Sequence, residues 1–203
     1  MAESKEIFSA EYEKILGFIS ATCMRAATLV LSMLVRKEVT ISEPKIRIFA
    51  WDGAHIVKGG KSVGVRISYS EGVCASNLIL LNAKDVKVIT NLMMGGDGVV
   101  EGPIVLDEMD MSALGEAMNQ MVGAKATSLS GMLHKKVNIG TPDVFSLDGD
   151  DDSIYQIGYA SDEVVALASF TMEIGDLIVS DVVQIFHMTA VKDLVDSYKL
   201  VRS

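Results

Sequence analysis

The sequence predicts an α+β fold made of two similar halves, with antiparallel strands joined into a sheet and two long helices packed on it. Three observations carry that prediction. The text LSMLVRKEVTISEP, ending at Pro44, is alike to LSGMLHKKVNIGTP, ending at Pro142, so the chain repeats itself with an offset of 98 residues. Each copy closes a long helical stretch, and each is followed by alternating strands: Val63, Val65, Ile67 and Tyr69 in the first half, Val164, Ala166, Ala168 and Phe170 in the second. Residues 1–203 are therefore expected to form a single domain of two repeats, about 9–94 and 104–200.

In chain order, a first helix is expected over about Ser9 to Arg36, then KEVTISEP and a strand in KIRIFAW. A Gly-rich turn at Gly59-Gly60 leads to VGVRISYS, Glu71-Gly72 turns into VCASNLILLN, and a helix follows from about Ala83 to Met94. The linker MMGGDGVVEGP has no Lys in a GK[ST] position and no GxGxxG, so it reads as a tight turn rather than a phosphate loop. The second half repeats the order with DVFSL, an acidic turn at Asp148 to Asp152, a strand near Ile154 to Tyr159, EVVALASFTME, DLIVSDVVQIFHM and a helix over about Thr189 to Leu200.

Apolar content of 49% against 22% charged residues argues for a folded protein, and 203 residues can bury a sizeable core. A net charge of −9 without a Lys/Arg run disfavours nucleic acid and anionic lipid as partners. Ile15 to Val35 is long and apolar, but Arg25 at its middle is costly at bilayer depth, so a core helix is expected and no membrane insertion. Cys23 and Cys74 are isolated in apolar text and read as buried reduced thiols of a cytoplasmic protein. His55, His134 and His187 are scattered and form no metal motif. Counted from Asp148, the sixth position is Ser153 and the twelfth Tyr159, which excludes a calcium loop.

The most informative stretch is LDEMDMSALGEAMNQMVGAKATSLSGMLHKKVNIGTP, from Leu106 to Pro142. Met111, Leu114, Met118, Met121 and Val122 share one face of a helix, with Asp107 or Asp110 as candidate caps. Gly140 and Pro142 bar the helix from continuing, and Lys135-Lys136 suit its C-terminal end. Ser112, Glu116 and Asn119, spaced by four and then three, share a second, polar face. Spacing alone favours an ordinary solvated face.

The order Ser112, Glu116, Asn119, with Pro142 following, resembles the signature of the CheC, CheX and FliY family of chemotaxis phosphatases. The segments EAMNQMVGAKATSLS, NLMMGGDG and SYSEG resemble its FliY branch. The resemblance covers nearly the whole chain and implies a CheC-like fold, with a pseudo-twofold axis relating the halves. It implies a phosphatase acting on the aspartyl phosphate of the response regulator CheY, at or near the flagellar motor switch. Asn119 would hold the attacking water, Glu116 would pair with a lysine of the partner, Ser112 would support the face, and Pro142 would start the next strand. No cofactor of its own is implied; Mg²⁺ is expected on the phosphorylated partner.

The family often carries two copies of the site. Here Lys14, Phe18 and Ala21 stand 98 residues before Ser112, Glu116 and Asn119, so the first copy is degenerate and one active site is expected. MAESKEIFSAEY does not look like the family's regulator-capturing peptide, and where FliY proteins usually continue into a FliN-like domain this sequence stops at Ser203. The chain thus reads either as an excised central domain or as a standalone CheC-like protein. The alternative function is a non-catalytic adaptor binding CheY, the deamidase CheD or a flagellar switch protein. A general hydrolase lacks a recognisable Ser-His or Cys-His pair.

Overall fold

The computed structural model describes residues 10–51, 60–73, 76–150, 153 and 156–202. Four helices among them are α1 (Ala10–Val35), α2 (Ala83–Met93), α3 (Glu108–Leu133) and α4 (Met188–Arg202). Eight strands are β1 (Val39–Ile41), β2 (Lys45–Ala50), β3 (Ser62–Glu71), β4 (Ser76–Asn82), β5 (Asn138–Ile139), β6 (Asp143–Leu147), β7 (Val164–Ile174) and β8 (Ile178–His187). Ser9, His55, Gly59, Cys74, Asp151, Asp152, Ile154 and Tyr155, on which sequence expectations fall, lie outside the described residues.

The strands form one antiparallel sheet in the order β1-β7-β8-β4-β3-β5, with β2 also on β7 and β6 also on β3. The short strands of each half therefore pair with the long strand of the other, Lys45 opposite Ser169 and Asp143 opposite Arg66. The β4–β8 pair, Leu78 opposite Ile185, lies at the centre, where the two halves meet as an antiparallel pair.

The α1 and α3 helices are each 26 residues long and begin 98 residues apart, at Ala10 and Glu108. Together with α2 and α4 they cover one face of the sheet. Their apolar stripes, Leu16, Ile19, Met24 and Leu31 on α1 and Leu114, Met118, Val122 and Leu129 on α3, meet Val63, Val65, Ile67, Ala168 and Phe170. This alternation buries every second strand residue on the helix side. Although α1 is long and apolar enough to cross a membrane by length and composition, half of its most apolar window is buried inside the fold.

The opposite face carries a smaller core of Leu78, Leu80, Val165, Leu167 and Ile185, covered by Trp51, Ile157 and Tyr159. Here the sequence expectation needs correction. Gln156 and Ile157 are helical rather than part of a strand near Ile154 to Tyr159. Both edges of the sheet are already taken, by β1 and β2 on one side and β5 and β6 on the other. The segment instead lays its apolar side chains over the exposed face, and the Tyr159 hydroxyl donates to the Ile185 carbonyl at 3.0 Å.

The end of α3 is also earlier than the prolines suggested. The helix stops at Leu133, and His134 turns left-handed with φ 48°. Ser130 Oγ accepts from the Val137 amide at 3.0 Å and so holds the chain in its turn. The first half does the same, with Arg36 at φ 53° and the Val39 amide on Ser32 Oγ at 3.1 Å. Lys135 and Lys136 consequently lie past the last helical turn, where they meet Ser197 and Glu71, both at 2.8 Å.

Candidate active site on the second long helix

The position of α3 is set at its first turn. Asp107 caps the helix by accepting from the Asp110 amide at 2.9 Å, while Asp110 accepts from the Asp107 amide at 3.0 Å. The two aspartates read from the sequence as alternative caps thus act together. Asp110 is fully buried, and it also accepts from Lys87 Nζ at 2.6 Å and Thr90 Oγ1 at 2.7 Å on α2. Burial pushes its carboxyl up, but the Lys87, Thr90 and Asp107 hydrogen bonds outweigh this and hold it below the usual range. A single buried carboxylate therefore pins α3 to α2 just ahead of the polar face. The reciprocal Asp-x-x-Asp spacing was the signal for the capping box; the link to Lys87 and Thr90 carries no sequence signal.

Beyond this anchor, Ser112, Glu116 and Asn119 all point outward and are exposed. Glu116 Oε1 accepts from Gln120 Nε2 at 2.8 Å, one helical turn on, which orders the carboxylate while leaving its other oxygen available. Among the described residues no hydrogen bond occupies the Asn119 carboxamide. Asn119 stands at the lip of a cleft of about 440 Å³, lined further by Gly123, Thr127 and Ser130 of α3 and by Asn138 and Gly140 across it. Pro142 is half-buried and directly precedes β6, apart from the three polar residues.

The equivalent positions on α1 differ in chemistry and in setting. Lys14 is exposed, Ala21 is buried, and Phe18 is 46% exposed with its ring 5.7 Å from that of Tyr198. No carboxylate or carboxamide stands there.

Beneath α3 lies a feature the sequence did not reveal. Lys125 is buried, and among the described residues its Nζ has no hydrogen-bond partner. Burial pushes the ammonium down to about 8, and it pushes the nearby Cys23 thiol up to about 11. Neither group reaches the exposed face.

Among the described residues no group of three His, Cys, Asp or Glu side chains could hold a metal ion. His187 pairs with Glu163 at 2.5 Å, and Asp150 is used locally, accepting from the amide and hydroxyl of Ser153 at 2.9 and 2.6 Å. The outward face offers two carboxylates, Glu108 and Glu116, but they stand two turns and about 12 Å apart along α3, a poor donor set for a resident divalent cation.

Comparison with known proteins agrees with the fold. Residues 109–146 match the CheC-like family model. The chain is 33% identical over 182 residues to the flagellar motor switch phosphatase FliY of Bacillus subtilis, covering 90% of this chain and 48% of that protein. It thus spans about half the length of this curated relative. The crystal structure of Thermotoga maritima FliY superposes with a TM-score of 0.85 at 34% identity, covering 96% of this chain and 98% of that one. The FliM middle domain of H. pylori shares the fold, with a TM-score of 0.72 at 10% identity over 94% of this chain and 99% of that one. The repeat, the crossed sheet and these matches together place the chain in the CheC, CheX and FliY family, with a CheC-like domain of the FliY kind.

Proposed function

We infer that this chain is a protein aspartyl-phosphate phosphatase acting on phosphorylated CheY at the cytoplasmic face of the flagellar motor switch. The observation that carries the reading is the exposed pair on α3, an ordered Glu116 carboxylate one turn from an unengaged Asn119 carboxamide, in a fold of the FliY kind. An aspartyl phosphate is a reactive acyl phosphate, so positioning of water matters more than a strong base. Asn119 hydrogen-bonds a water in line with the phosphorus, as the water-positioning glutamine does in GTP hydrolysis. The water oxygen forms a bond to phosphorus, the bond from phosphorus to the aspartyl oxygen breaks, and the carboxylate leaves with its electron pair. The water's proton ends on the inorganic phosphate released.

Glu116 pairs with a lysine beside the partner's phosphoaspartate and fixes the docking geometry. Ser112 supports the face by hydrogen bonding, and Pro142 sets the start of β6. Any Mg²⁺ belongs to the partner: among the described residues the acids of this face, Glu108 and Glu116, stand about 12 Å apart along α3 and are too distant to share one ion. Lys14, Phe18 and Ala21 provide neither the acid nor the amide, so α1 hosts no second site.

The test is the decay of phosphorylated CheY with wild type, Asn119→Ala and Glu116→Ala. Acceleration by wild type that both substitutions abolish is expected; for a water-positioning group a loss of about 10²-fold or more is the right scale. Binding of CheY without acceleration would instead favour an adaptor for CheY, CheD or a switch protein. Acceleration surviving both substitutions would move the site off α3.

A further inference from the structure

Because α1 and α3 occupy equivalent places, each half is an internal reference for the other. The left-handed residues Arg36 and His134, and the hydrogen bonds that the Val39 and Val137 amides donate to Ser32 and Ser130 Oγ, recur at the 98-residue offset. Against this common frame one region differs. In the second half the cleft beside Asn119 is open, with Gly123 on the helix side and Asn138 to Gly140 opposite, Thr141 following directly after the lining. At the same place in the first half Arg25 stands for Gly123 and Glu43 for Thr141, and Arg25 bridges to Glu43 by an ion pair. The half that carries the carboxamide is open; the half that carries Ala21 is bridged.

The fold does not require glycine at position 123. It lies in mid-helix, where glycine costs about 1 kcal/mol relative to alanine, and nothing stands within 4 Å of a Cβ added there. Its backbone is helical, so no special φ explains it either. The missing side chain keeps the cleft clear next to the one amide placed to position water.

We propose that this cleft is a docking subsite for the backbone segment of the phosphoprotein partner adjoining its aspartyl phosphate, and that Gly123 is the residue that admits it. The proposal rests on the reading of Asn119 as acting on an aspartyl phosphate. A phosphate carried to Asn119 on a short aspartate side chain brings its main chain within a few ångströms, and the cleft starts at Asn119. Its 440 Å³ falls in the range of about 300–1,000 Å³ usual for ligand pockets. Its lining suits a peptide: Val122 and Ile139 are apolar, while Thr127 Oγ1, which donates to the Gly123 carbonyl, and Asn138 Oδ1, whose amide nitrogen donates to Glu71, retain acceptor capacity for main-chain amides.

The experiment installs the first half's bridge in the second. Gly123→Arg, and Gly123→Arg with Thr141→Glu, are compared with wild type and with Gly131→Arg, the same change on the same helix outside the cleft and likewise in open space. Readouts are kcat and KM for phosphate release from phosphorylated CheY, the Kd for CheY held in its active form by beryllofluoride, and the melting temperature. Expected is a rise in KM and Kd of about tenfold or more in both cleft variants, with kcat at saturation retained, the pattern of lost uniform binding. Melting temperatures should not fall, and Gly131→Arg should match wild type.

Unchanged KM and Kd in the cleft variants overturn the proposal. So does an equal loss in Gly131→Arg, which would mean a general effect of charge on α3. Equal slowing of acetyl phosphate hydrolysis would assign the cleft to a small acyl phosphate and overturn it too. A wild type that binds but does not hydrolyse defeats the catalytic reading alone, and the Kd series then decides the cleft; one that does neither defeats both.

Discussion

Lys125→Met should stabilise this protein, and the gain should depend on pH. The Lys125 ammonium is buried under α3 with no hydrogen-bond partner among the described residues, and burial pushes it from the ordinary 10.5 down to about 8. At about 1.4 kcal/mol per pKa unit, that difference amounts to about 3 kcal/mol against the folded state wherever both states are protonated. The folded form binds the proton less tightly than the unfolded chain, so the penalty is full below pH 8 and fades as pH rises from 8 towards 10.5. Methionine fills a similar volume without a charge. Urea unfolding of both proteins should therefore show the variant ahead by about 3 kcal/mol at pH 7 and by only about 1 kcal/mol at pH 10. Because Lys125 also draws the Cys23 thiol down against burial, both proteins are compared in a Cys23→Ala background, which removes the opposing pH dependence of that thiol. A gap of the same size at both pH values, or a less stable variant at pH 7, would refute the reasoning and mean that Lys125 reaches water or a partner.

Two further outcomes follow from the same structure. Asp110→Ala leaves Lys87, Thr90 and the Asp107 amide without their acceptor, so it should cost about 2–3 kcal/mol in urea unfolding at pH 7. Because the folded Asp110 carboxyl is held below its ordinary 3.8, its contribution is present above that pH and is lost as pH falls through the lower folded value. The stability difference between wild type and variant should accordingly shrink on acidification below pH 4. For Cys23, which is 6% exposed with its thiol pushed up to about 11, iodoacetamide should label the native protein far more slowly than the urea-unfolded chain, as read by peptide mapping. Equal rates would show that α1 opens readily from the core.

Much of the architecture was legible because it depends on local pattern. The 98-residue repeat places α1 against α3, since residues under the same local constraints adopt the same helix, turn and strand. Alternation identified β3 and β7 because each buries one face under the helices. The segment before Tyr159 was misread because apolar content within a few residues cannot distinguish a strand from a cover over a sheet. That choice depends on whether an edge is free, and β5 and β6 occupy the edge beside β3. The outward face of Ser112, Glu116 and Asn119 was legible from helical spacing, whereas its meaning came from resemblance to a family.

By itself, then, the sequence determined the two-part α+β plan, the helix that presents Glu116 and Asn119, and the presence of Phe18 and Ala21 at the matching places of the first helix. These follow from residue type and periodicity, which act over a few turns of chain. Tertiary structure decided the exchange of short strands between halves, the burial of Asp110 against Lys87, the unpaired Lys125, and the open cleft beside Asn119 where the first half is bridged by Arg25 and Glu43. Each of these is a relation between groups distant in the chain or across a surface. Desolvation, ion pairing and free volume come into being only when packing brings such groups to a common place.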